Sequence, residues 1–181
     1  YTDAIDYVVA HGYISGVSNS EFGLSVNITR GMFVTILARI AGVDTSNAAN
    51  KKATTKFADV KSGKYYTAAV AWANANGVVS GKSATTFEPN ANISRQELAV
   101  MIVNFAKAQK ITLKETAKAV TFADASGIAK WAKNEVAACQ KAGIISGYTE
   151  GGKTTFKPKN TATRAEAAQM IYKFVTAYVA K

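Results

Sequence analysis

The chain has 181 residues, of which 48% are hydrophobic, so it is long and apolar enough to fold around a sizeable core. Its 22 lysines and arginines against 12 acidic residues give a net charge of +10, which predicts an anionic partner: nucleic acid, an anionic membrane surface or an acidic polymer. The single cysteine, Cys139, excludes an intramolecular disulfide and a cysteine-based metal cluster, and no apolar run is long enough to span a membrane.

The chain contains three copies of one unit. In each copy a segment with two glycines precedes a phenylalanine, and an arginine follows that phenylalanine eight positions later. The glycine segments are GYISG at 12–16, GVVSG at 77–81 and GIISG at 143–147, and the pairs are Phe22 with Arg30, Phe87 with Arg95 and Phe156 with Arg164. This periodicity predicts repeat 1 (1–43, incomplete on its N-terminal side), repeat 2 (57–106) and repeat 3 (122–181), joined by polar linkers 43–56 and 107–121 into one compact unit.

Each repeat is predicted to contain two helices. The first helices are expected at 2–11, 65–76 and 129–142, and each ends at a glycine suited to the left-handed position after a helix: Gly12, Gly77 and Gly143. The second helices are expected to begin at the three arginines. In the second linker, residues 112–118 are predicted to form a short additional helix.

The start of the second helix in repeat 2 has an unusual feature. Ser94 and Glu97 form a capping-box pattern, which makes Arg95 the first helical residue, beside the positive end of the helix dipole. A cation there costs roughly 0.3–1 kcal/mol. Since Arg30 and Arg164 repeat the placement, we expect the arginines to have a role that offsets this cost.

The second helices carry apolar residues at helical spacing, and these are expected to form the core. The positions are Phe33, Ile36, Leu37, Ile40, Leu98, Met101, Ile102, Phe105, Ala167, Met170, Ile171 and Phe174. Because one helix pair cannot bury both apolar faces alone, three pairs are expected to share a centre. The predicted fold is all-α, with three helix–loop–helix repeats in a pseudo-threefold arrangement around a central helical bundle.

The repeated pattern resembles the S-layer homology (SLH) domain family over nearly the whole chain. The family pattern runs from an F-x-D opening through a first helix, a G-apolar-apolar-x-G loop and F-x-P to an [IV]-[TS]-R-x-E helix start. Repeat 2 matches with Phe57, Asp59, Gly77, Gly81, Phe87, Pro89, Ser94, Arg95 and Glu97. Repeat 3 matches with Phe122, Asp124, Trp131, Gly143, Gly147, Phe156, Pro158, Thr163, Arg164 and Glu166.

Repeat 1 departs from this pattern. It has no F-x-D segment, Leu24 replaces the proline, and Met32 replaces the capping glutamate. We therefore expect Arg30 to be held less firmly than Arg95 and Arg164, and to contribute less to binding.

The resemblance implies a trimeric SLH array that anchors a bacterial S-layer or other surface protein, non-covalently, to the cell wall. The implied partner is a secondary cell-wall polysaccharide attached to peptidoglycan and bearing pyruvylated N-acetylmannosamine. A pyruvyl carboxylate would suit an arginine beside free N–H groups of a helix start, close backbone approach at a glycine, serine hydroxyls and an aromatic surface. The candidate ligand-binding residues are Arg30, Arg95, Arg164, Asp59, Asp124, Gly16, Gly81, Gly147, Ser15, Ser80, Ser146, Trp72, Trp131, Tyr65 and Tyr148.

Purely structural roles for the same residues stay open. Arg95 could pair with Glu97 or Asp124, and Arg164 with Glu166, to lock helices together. The first glycines are helix stops, the tryptophans could pack in the core, and Asp59 and Asp124 could cap helices.

Other classes of function fit less well. His11 is the only histidine and belongs to no recurring catalytic set, so we expect neither an enzyme nor a metal site, and no cofactor. The alternative is a basic helical protein that binds nucleic acid or another polyanion. The lysines, however, concentrate in the linkers and not on one recognition helix, so nucleic acid is not the expected partner. They are Lys51, Lys52, Lys107, Lys110, Lys114 and Lys118.

Overall fold

The structure is a computed structural model that describes residues 1–18, 20–47 and 50–180, with Lys51 described by its backbone only. The α-helices are α1 (Thr2–Ala10), α2 (Arg30–Ile40), α3 (Thr67–Ala75), α4 (Arg95–Ala108), α5 (Lys133–Lys141) and α6 (Arg164–Phe174). Short 3₁₀ helices span Asn50–Lys52, Ala125–Gly127 and Lys130–Ala132, and a π-helical turn spans Val175–Val179. Strands β1 (Tyr148–Glu150) and β2 (Lys153–Thr155) form an antiparallel hairpin.

The first helix of each repeat ends as predicted. Gly12, Gly77 and Gly143 have φ of 68°, 71° and 75°, and the backbone around each forms a Schellman motif. In α1, for example, Gly12 N–H donates to Val9 O and Tyr13 N–H donates to Val8 O. The chain therefore reverses at the same point in all three repeats and enters the loop that ends in the second glycine.

The second helices begin at Arg30, Arg95 and Arg164, as predicted. Complete capping boxes start α4 and α6, through Ser94 with Glu97 and Thr163 with Glu166. In α2 the Thr29 hydroxyl still accepts a hydrogen bond from Met32 N–H, so this start keeps half of the box.

The predicted helix at 112–118 is wrong. The backbone of residues 112–118 is irregular, because two of its N–H groups bind the end of α5 and not carbonyls within the segment. Thr116 and Ala117 N–H groups both donate to Lys141 O. The buried Gln140 side chain also donates to Lys118 O and accepts from Val120 N–H. Residues 116–120 of the linker are therefore fastened to the end of α5.

Helices pack mainly between repeats. Helix α3 of repeat 2 packs on α2 of repeat 1, α5 of repeat 3 packs on α4 of repeat 2, and α1 of repeat 1 packs on α6 of repeat 3. The last of these contacts joins the first repeat to the third, so the repeats form a closed ring.

Main-chain hydrogen bonds join the three repeats at the centre. Ile28 N–H donates to Ala162 O, Ala162 N–H to Ile93 O, and Ile93 N–H to Ile28 O, each at 3.0 Å. All three residues are fully buried. These bonds establish the order of contacts around the ring, whereas a true threefold rotation stays a prediction.

The predicted core is confirmed, because eleven of the twelve apolar positions on the second helices are buried and Ile40 is half-buried. Phe105 of α4 and Phe174 of α6 meet edge to face, with ring centroids 5.8 Å apart. The fold is mostly helical, as expected, with the β1–β2 hairpin as an addition. Across the described residues, every helix is too short or too polar to cross a lipid bilayer.

Candidate binding clefts

The arginine at the start of α2 reaches into the next repeat. Arg30 Nε donates to Phe87 O at 2.8 Å, Nη1 donates to Glu97 Oε1 at 2.9 Å, and the guanidinium lies 4.6 Å from the centre of the Phe87 ring. Arg30 is only 4% exposed. The expectation that the incomplete motif holds Arg30 less firmly is therefore wrong, because the partners of Arg30 come from the complete repeat 2.

Arg95 makes the same set of contacts one repeat further along. Nε donates to Phe156 O at 2.8 Å, and Nη1 donates to Glu166 Oε1 at 3.1 Å. The arginines thus pair with the glutamate of the following repeat, and the alternatives in which Arg95 pairs with Glu97 or Asp124 are wrong. The capping glutamates of α4 and α6 each face the arginine that enters from the preceding repeat.

Arg164 of repeat 3 reaches repeat 1 and so completes the ring. Its Nε donates to Phe22 O at 2.8 Å, its Nη2 donates to Ser15 O, and it lies 4.8 Å from the Phe22 ring centre. Its predicted alternative partner, Glu166, pairs with Arg95 instead. The counterpart of Glu97 and Glu166 in repeat 1 is Met32, so no capping carboxylate faces Arg164.

The helix starts do not offer free N–H groups, which corrects one part of the predicted anion site. The first two N–H groups of each second helix donate to loop carbonyls of a neighbouring repeat, and the third donates to the capping hydroxyl. The donor–acceptor pairs are Arg30 with Ala91, Gly31 with Pro89, Arg95 with Asn160, Gln96 with Pro158, Arg164 with Val26, and Ala165 with Leu24. An incoming anion would therefore meet side chains and not the helix backbone.

Burial is the dominant electrostatic effect on the arginines. Desolvation lowers the pKa of Arg30, Arg95 and Arg164 from the usual value, and the charges of Glu97 and Glu166 act against that shift for Arg30 and Arg95 respectively. A guanidinium nevertheless stays protonated in proteins. Arg164 therefore carries a buried positive charge. Desolvation lowers its pKa, and no glutamate charge acts against that shift as it does for Arg30 and Arg95.

An open cleft of about 400 Å³, here called the repeat 2 cleft, forms where all three repeats meet. Its polar wall consists of Arg30, Lys82, Glu97 and Asn104, and Lys82 Nζ lies 2.9 Å from the same Glu97 Oε1 that Arg30 contacts. The exposed Trp131 of repeat 3 also lines this cleft. Its remaining lining residues belong to the glycine loop and α4: Val78, Val79, Ser80, Gly81, Val100 and Met101.

The equivalent repeat 3 cleft is much smaller, at about 70 Å³, and Tyr148 is one of its lining residues. Tyr148 follows Gly147 as Lys82 follows Gly81. Its hydroxyl donates to Glu166 Oε1, and its ring lies 4.6 Å from the Arg95 guanidinium. Tyr1 lines this cleft together with Ser146 and Gly147.

The second loop glycines are required for packing within the chain. A Cβ on Gly81 would lie 2.4 Å from Phe57 Cε1, and one on Gly147 would lie 2.7 Å from Phe122 Cε1. A Cβ on Gly16 would lie 2.5 Å from Ser18 O. The missing side chains thus make room for the chain itself, which corrects the expectation that they make room for a ligand's approach.

Asp59 and Asp124 hold the phenylalanine segments in place. Asp59 accepts hydrogen bonds from Phe87 and Glu88 N–H, and Asp124 accepts them from the equivalent residues Phe156 and Lys157. The alternative in which they cap the first helices is wrong, because their carboxylates accept hydrogen bonds from loop amides some 30 residues away. A direct ligand contact by either residue stays a prediction.

The predicted aromatic and serine candidates lie in three kinds of place: in a cleft, against the core or on the exposed surface. Trp131 lines the repeat 2 cleft and Tyr148 the repeat 3 cleft. Trp72 instead packs against the core, with its ring centre 6.1 Å from that of Phe105, so the packing alternative is right for this tryptophan. Tyr65 is exposed and stacks edge to face on Tyr66. Ser15, Ser80 and Ser146 are all exposed, in the same position of their loops.

The chain is similar to known proteins over most of its length. A model of the S-layer homology domain matches residues 56–99 and 121–168, half of the chain. The chain belongs to the S-layer homology domain family. Membership of the SLH family places the chain outside the cell, at the bacterial cell wall or S-layer.

The relatives that match this SLH chain are longer surface proteins and enzymes, and the chain matches one part of each. It is 30% identical over 94% of its length to an amylopullulanase of Thermoanaerobacterium thermosulfurigenes, of which it covers 9%. It is 31% identical over 92% of its length to the surface-layer 125 kDa protein of Lysinibacillus sphaericus, of which it covers 13%. A cellulosome-anchoring protein of Acetivibrio thermocellus is 26% identical over 88% of the chain, which covers 34% of that relative. The SLH chain therefore spans a small part of each.

Sequence reasoning missed several residues of the SLH clefts, among them three with polar side chains. Lys82, Asn104 and Tyr1 line them but were not selected as candidates. For Lys82 a signal existed, since it directly follows the second loop glycine, as the selected Tyr148 does. Asn104 and Tyr1 carry no such signal, because their role depends on how α4 and α1 pack.

Proposed function

We propose that the chain is a non-covalent anchoring module that binds an anionic secondary cell-wall polysaccharide attached to peptidoglycan. Through this contact it would tether an S-layer protein or another surface protein to the bacterial envelope. The group recognised is a carboxylate-bearing sugar, pyruvylated N-acetylmannosamine. The role is binding without catalysis.

The repeat 2 cleft carries the proposal. It combines two cations, Arg30 and Lys82, with the exposed indole of Trp131 and with hydrogen-bonding groups from Ser80 and Asn104. A pyruvylated sugar has a carboxylate for the cations, hydroxyls for the polar groups and a flat apolar face for the indole. The name of the cellulosome-anchoring relative also supports an anchoring role.

The proposal is tested by retention on purified cell-wall sacculi from wild-type cells and from cells deficient in pyruvylation. We expect strong retention on the first and weak retention on the second. Equal retention on both would contradict recognition of the pyruvyl group.

The salt dependence of retention separates this proposal from general polyanion binding. Because the cleft adds hydrogen bonds and stacking to charge, moderate salt should weaken retention only partly, whereas a binder driven by counterion release would lose affinity steeply. Tighter retention on DNA or heparin resin than on sacculi would favour the polyanion alternative.

A pair of variants locates the contact. Trp131 is 56% exposed, so Trp131→Ala should fold normally and lose retention on wild-type sacculi by roughly five- to tenfold, as expected for a lost stacking contact of about 1 kcal/mol or more. Val120→Ala is the matched control, because Val120 is also an exposed apolar residue and does not line the cleft. Equal retention by the two variants would rule out the indole as a binding surface.

A further inference from the structure

A further pocket lies between the linker that follows α4 and the π-helical turn that follows α6. This pocket, here called the linker pocket, has a volume of about 370 Å³ and shares no lining residue with the repeat 2 cleft or the repeat 3 cleft. Its volume falls within the range of about 300–1,000 Å³ that is typical of small-molecule sites. Its lining includes Lys110, Ile111, Thr112, Lys114, Thr116 and Tyr178.

The linker pocket carries positive charge with no acid in its lining. Lys110 and Lys114 are both exposed, and among the described residues neither of them forms an ion pair. Glu115 follows Lys114 in the sequence, but its carboxylate pairs with Lys141 at 2.8 Å and does not line the pocket. In the part of the chain that the structure describes, the pocket therefore has two ammonium groups and no carboxylate.

Lys110 has a backbone conformation that normally requires glycine. Helices α1, α2, α3 and α5 all end in a Schellman motif with a glycine at the left-handed position. The backbone at 106–111 forms the same motif at the end of α4, but here the left-handed residue is Lys110, with φ of 56°. A side chain makes this conformation unfavourable, and such conformations cluster at functional sites. The lysine side chain at this position therefore points to a use for its charge.

Tyr178 connects the two walls of the linker pocket. Its hydroxyl lies 3.1 Å from Lys114 O and 3.0 Å from Ala142 O, so it bridges the linker and the end of α5. Its ring stacks on Phe174 of α6, with ring centres 6.1 Å apart. The wall that carries Lys114 is thereby fixed against the C-terminal turn, which lowers the entropy cost of binding a ligand between them.

The side chains of the linker pocket suit a phosphate group. An ammonium is a compact charge with three rotatable donors and binds phosphate as a point charge, whereas the carboxylates at the repeat boundaries of this chain are held by planar guanidinium groups. The hydroxyls of Thr112 and Thr116 add neutral donors for the remaining phosphate oxygens. Ile111 and the Tyr178 ring offer apolar contacts to a sugar.

We propose that the linker pocket binds a sugar phosphate, with Lys110 and Lys114 on the phosphate and with Ile111 and Tyr178 against the sugar. This inference goes beyond the proposed function, because it concerns a different part of the chain and a different anion. A glycan that carries both groups would contact the chain at two places, and the second contact would then form at a high effective concentration.

The test uses the whole chain and three soluble probes: N-acetylglucosamine 1-phosphate, inorganic phosphate and N-acetylglucosamine. Amide chemical shifts of the isotope-labelled protein report where each probe binds. We expect the sugar phosphate to shift the amides of 110–116 and 177–178, and to bind roughly tenfold more tightly than inorganic phosphate. The neutral sugar should cause no shift there.

A pair of double variants tests the two lysines. Lys110→Gln with Lys114→Gln should weaken binding of the sugar phosphate roughly tenfold or more. Lys133→Gln with Lys159→Gln is the matched control, because it removes the same charge from exposed lysines that do not line the pocket. The control should stay within about twofold of the natural chain.

Lys110→Gly separates binding from folding. Glycine relieves the left-handed backbone at position 110, so this variant should unfold at a temperature about 2–4 °C higher and still bind the sugar phosphate several-fold less tightly. A loss of binding together with a lower unfolding temperature would mean that the variant damages the fold, and would contradict the role of the Lys110 side chain.

Several results would overturn this inference. They are unchanged binding by the lysine double variant, an equal loss in its control, the largest shifts in the repeat 2 or repeat 3 cleft, and inorganic phosphate binding as tightly as the sugar phosphate. Tighter binding of a single-stranded oligonucleotide through the same lysines would assign the pocket to nucleic acid instead. Retention on wild-type sacculi without any shift in the linker pocket contradicts only this inference. Binding of the sugar phosphate there without retention on sacculi contradicts only the proposed function.

Discussion

Arg95 of repeat 2 and Glu166 of repeat 3 form an ion pair across the boundary between their repeats, with 3.1 Å between Nη1 and Oε1 and both side chains at least 85% buried. Arg30 and Glu97 form the same pair between repeats 1 and 2. Each glutamate therefore caps its own helix and also holds the preceding repeat. These contacts explain why Arg30 and Arg95 stand at the unfavourable end of a helix dipole. The charge of each arginine forms an ion pair with a glutamate of the neighbouring repeat.

The ion pair between Arg30 and Glu97 should make stability depend on acidic pH. Burial alone raises the pKa of Glu97, but hydrogen bonds from Ser94 and Lys82 together with the charge of Arg30 outweigh it, so the pKa is lowered from its ordinary 4.5. A lowered pKa contributes stability that is present above the unfolded value and is lost as pH falls through the folded value. Urea unfolding between pH 7 and pH 3 should show this loss below about pH 4.5.

Glu97→Gln should reduce stability at pH 7 by about 1–3 kcal/mol and flatten the acid dependence, because a charged partner of a buried arginine is removed. Glu115→Gln is the control, since Glu115 pairs with Lys141 at the surface and is 72% exposed. Such exposed pairs contribute about 0–1 kcal/mol. Identical acid profiles for Glu97→Gln and the natural chain would contradict the prediction.

The two glycines of one loop should respond differently to alanine. Gly77 has φ of 71° and open space around a Cβ, so Gly77→Ala should cost about 1–2 kcal/mol, the cost of a left-handed residue with a side chain. Gly81 has φ of 93°, and a Cβ there would overlap Phe57 and two loop carbonyls. Gly81→Ala should cost about 1–3 kcal/mol more. Thermal unfolding of both variants measures the difference, and equal losses would refute the packing role of Gly81.

Cys139 should react slowly with thiol reagents. Its side chain is fully buried in α5, and burial together with the nearby charge of Glu135 raises its pKa to about 12. At pH 8 an aromatic disulfide reagent should label it only as the protein unfolds. An accessible cysteine placed by Ser126→Cys in a Cys139→Ala background serves as the positive control. Equally fast labelling of both proteins would disprove the burial.

Tyr148 should control access to the repeat 3 cleft. Tyr148→Lys introduces the residue type found at Lys82, so the cleft should open from about 70 Å³ toward the 400 Å³ of its counterpart. Tyr148→Phe keeps the ring and loses only the hydrogen bond to Glu166, so its cleft should stay filled. Calorimetry with a synthetic glycoside of pyruvylated N-acetylmannosamine should then show one additional binding site in Tyr148→Lys alone. The same stoichiometry in both variants would mean that Tyr148 does not block the cleft.

Sequence reasoning succeeded where the structural cause is local. The helix starts at Arg95 and Arg164 follow from a serine or threonine three residues before a glutamate, and the helix ends follow from Gly77 and Gly143. These features need only a few adjacent residues to form. Their positions could therefore be predicted without knowledge of the neighbouring repeats.

The partners of the arginines could not be predicted in the same way. Glu97 lies two residues from Arg95 in the chain, yet it binds Arg30, because the packing of whole repeats decides which side chains meet. The hairpin in repeat 3 did have a signal. Phe156 follows Gly147 by nine positions, whereas Phe87 follows Gly81 by six. The extra length contains the pair Gly151 and Gly152, which is typical of a tight turn.

The contact of α1 with α6 has a consequence for how the molecule comes apart. In a linear array of repeats the end units have one neighbour each and can fray independently. Here the helices pair across repeat boundaries and the last boundary is closed, so no repeat can peel away without exposing the apolar face of a helix in another. The three repeats should therefore unfold in one cooperative transition, and mechanical load on an anchored surface protein would be resisted by all of them together.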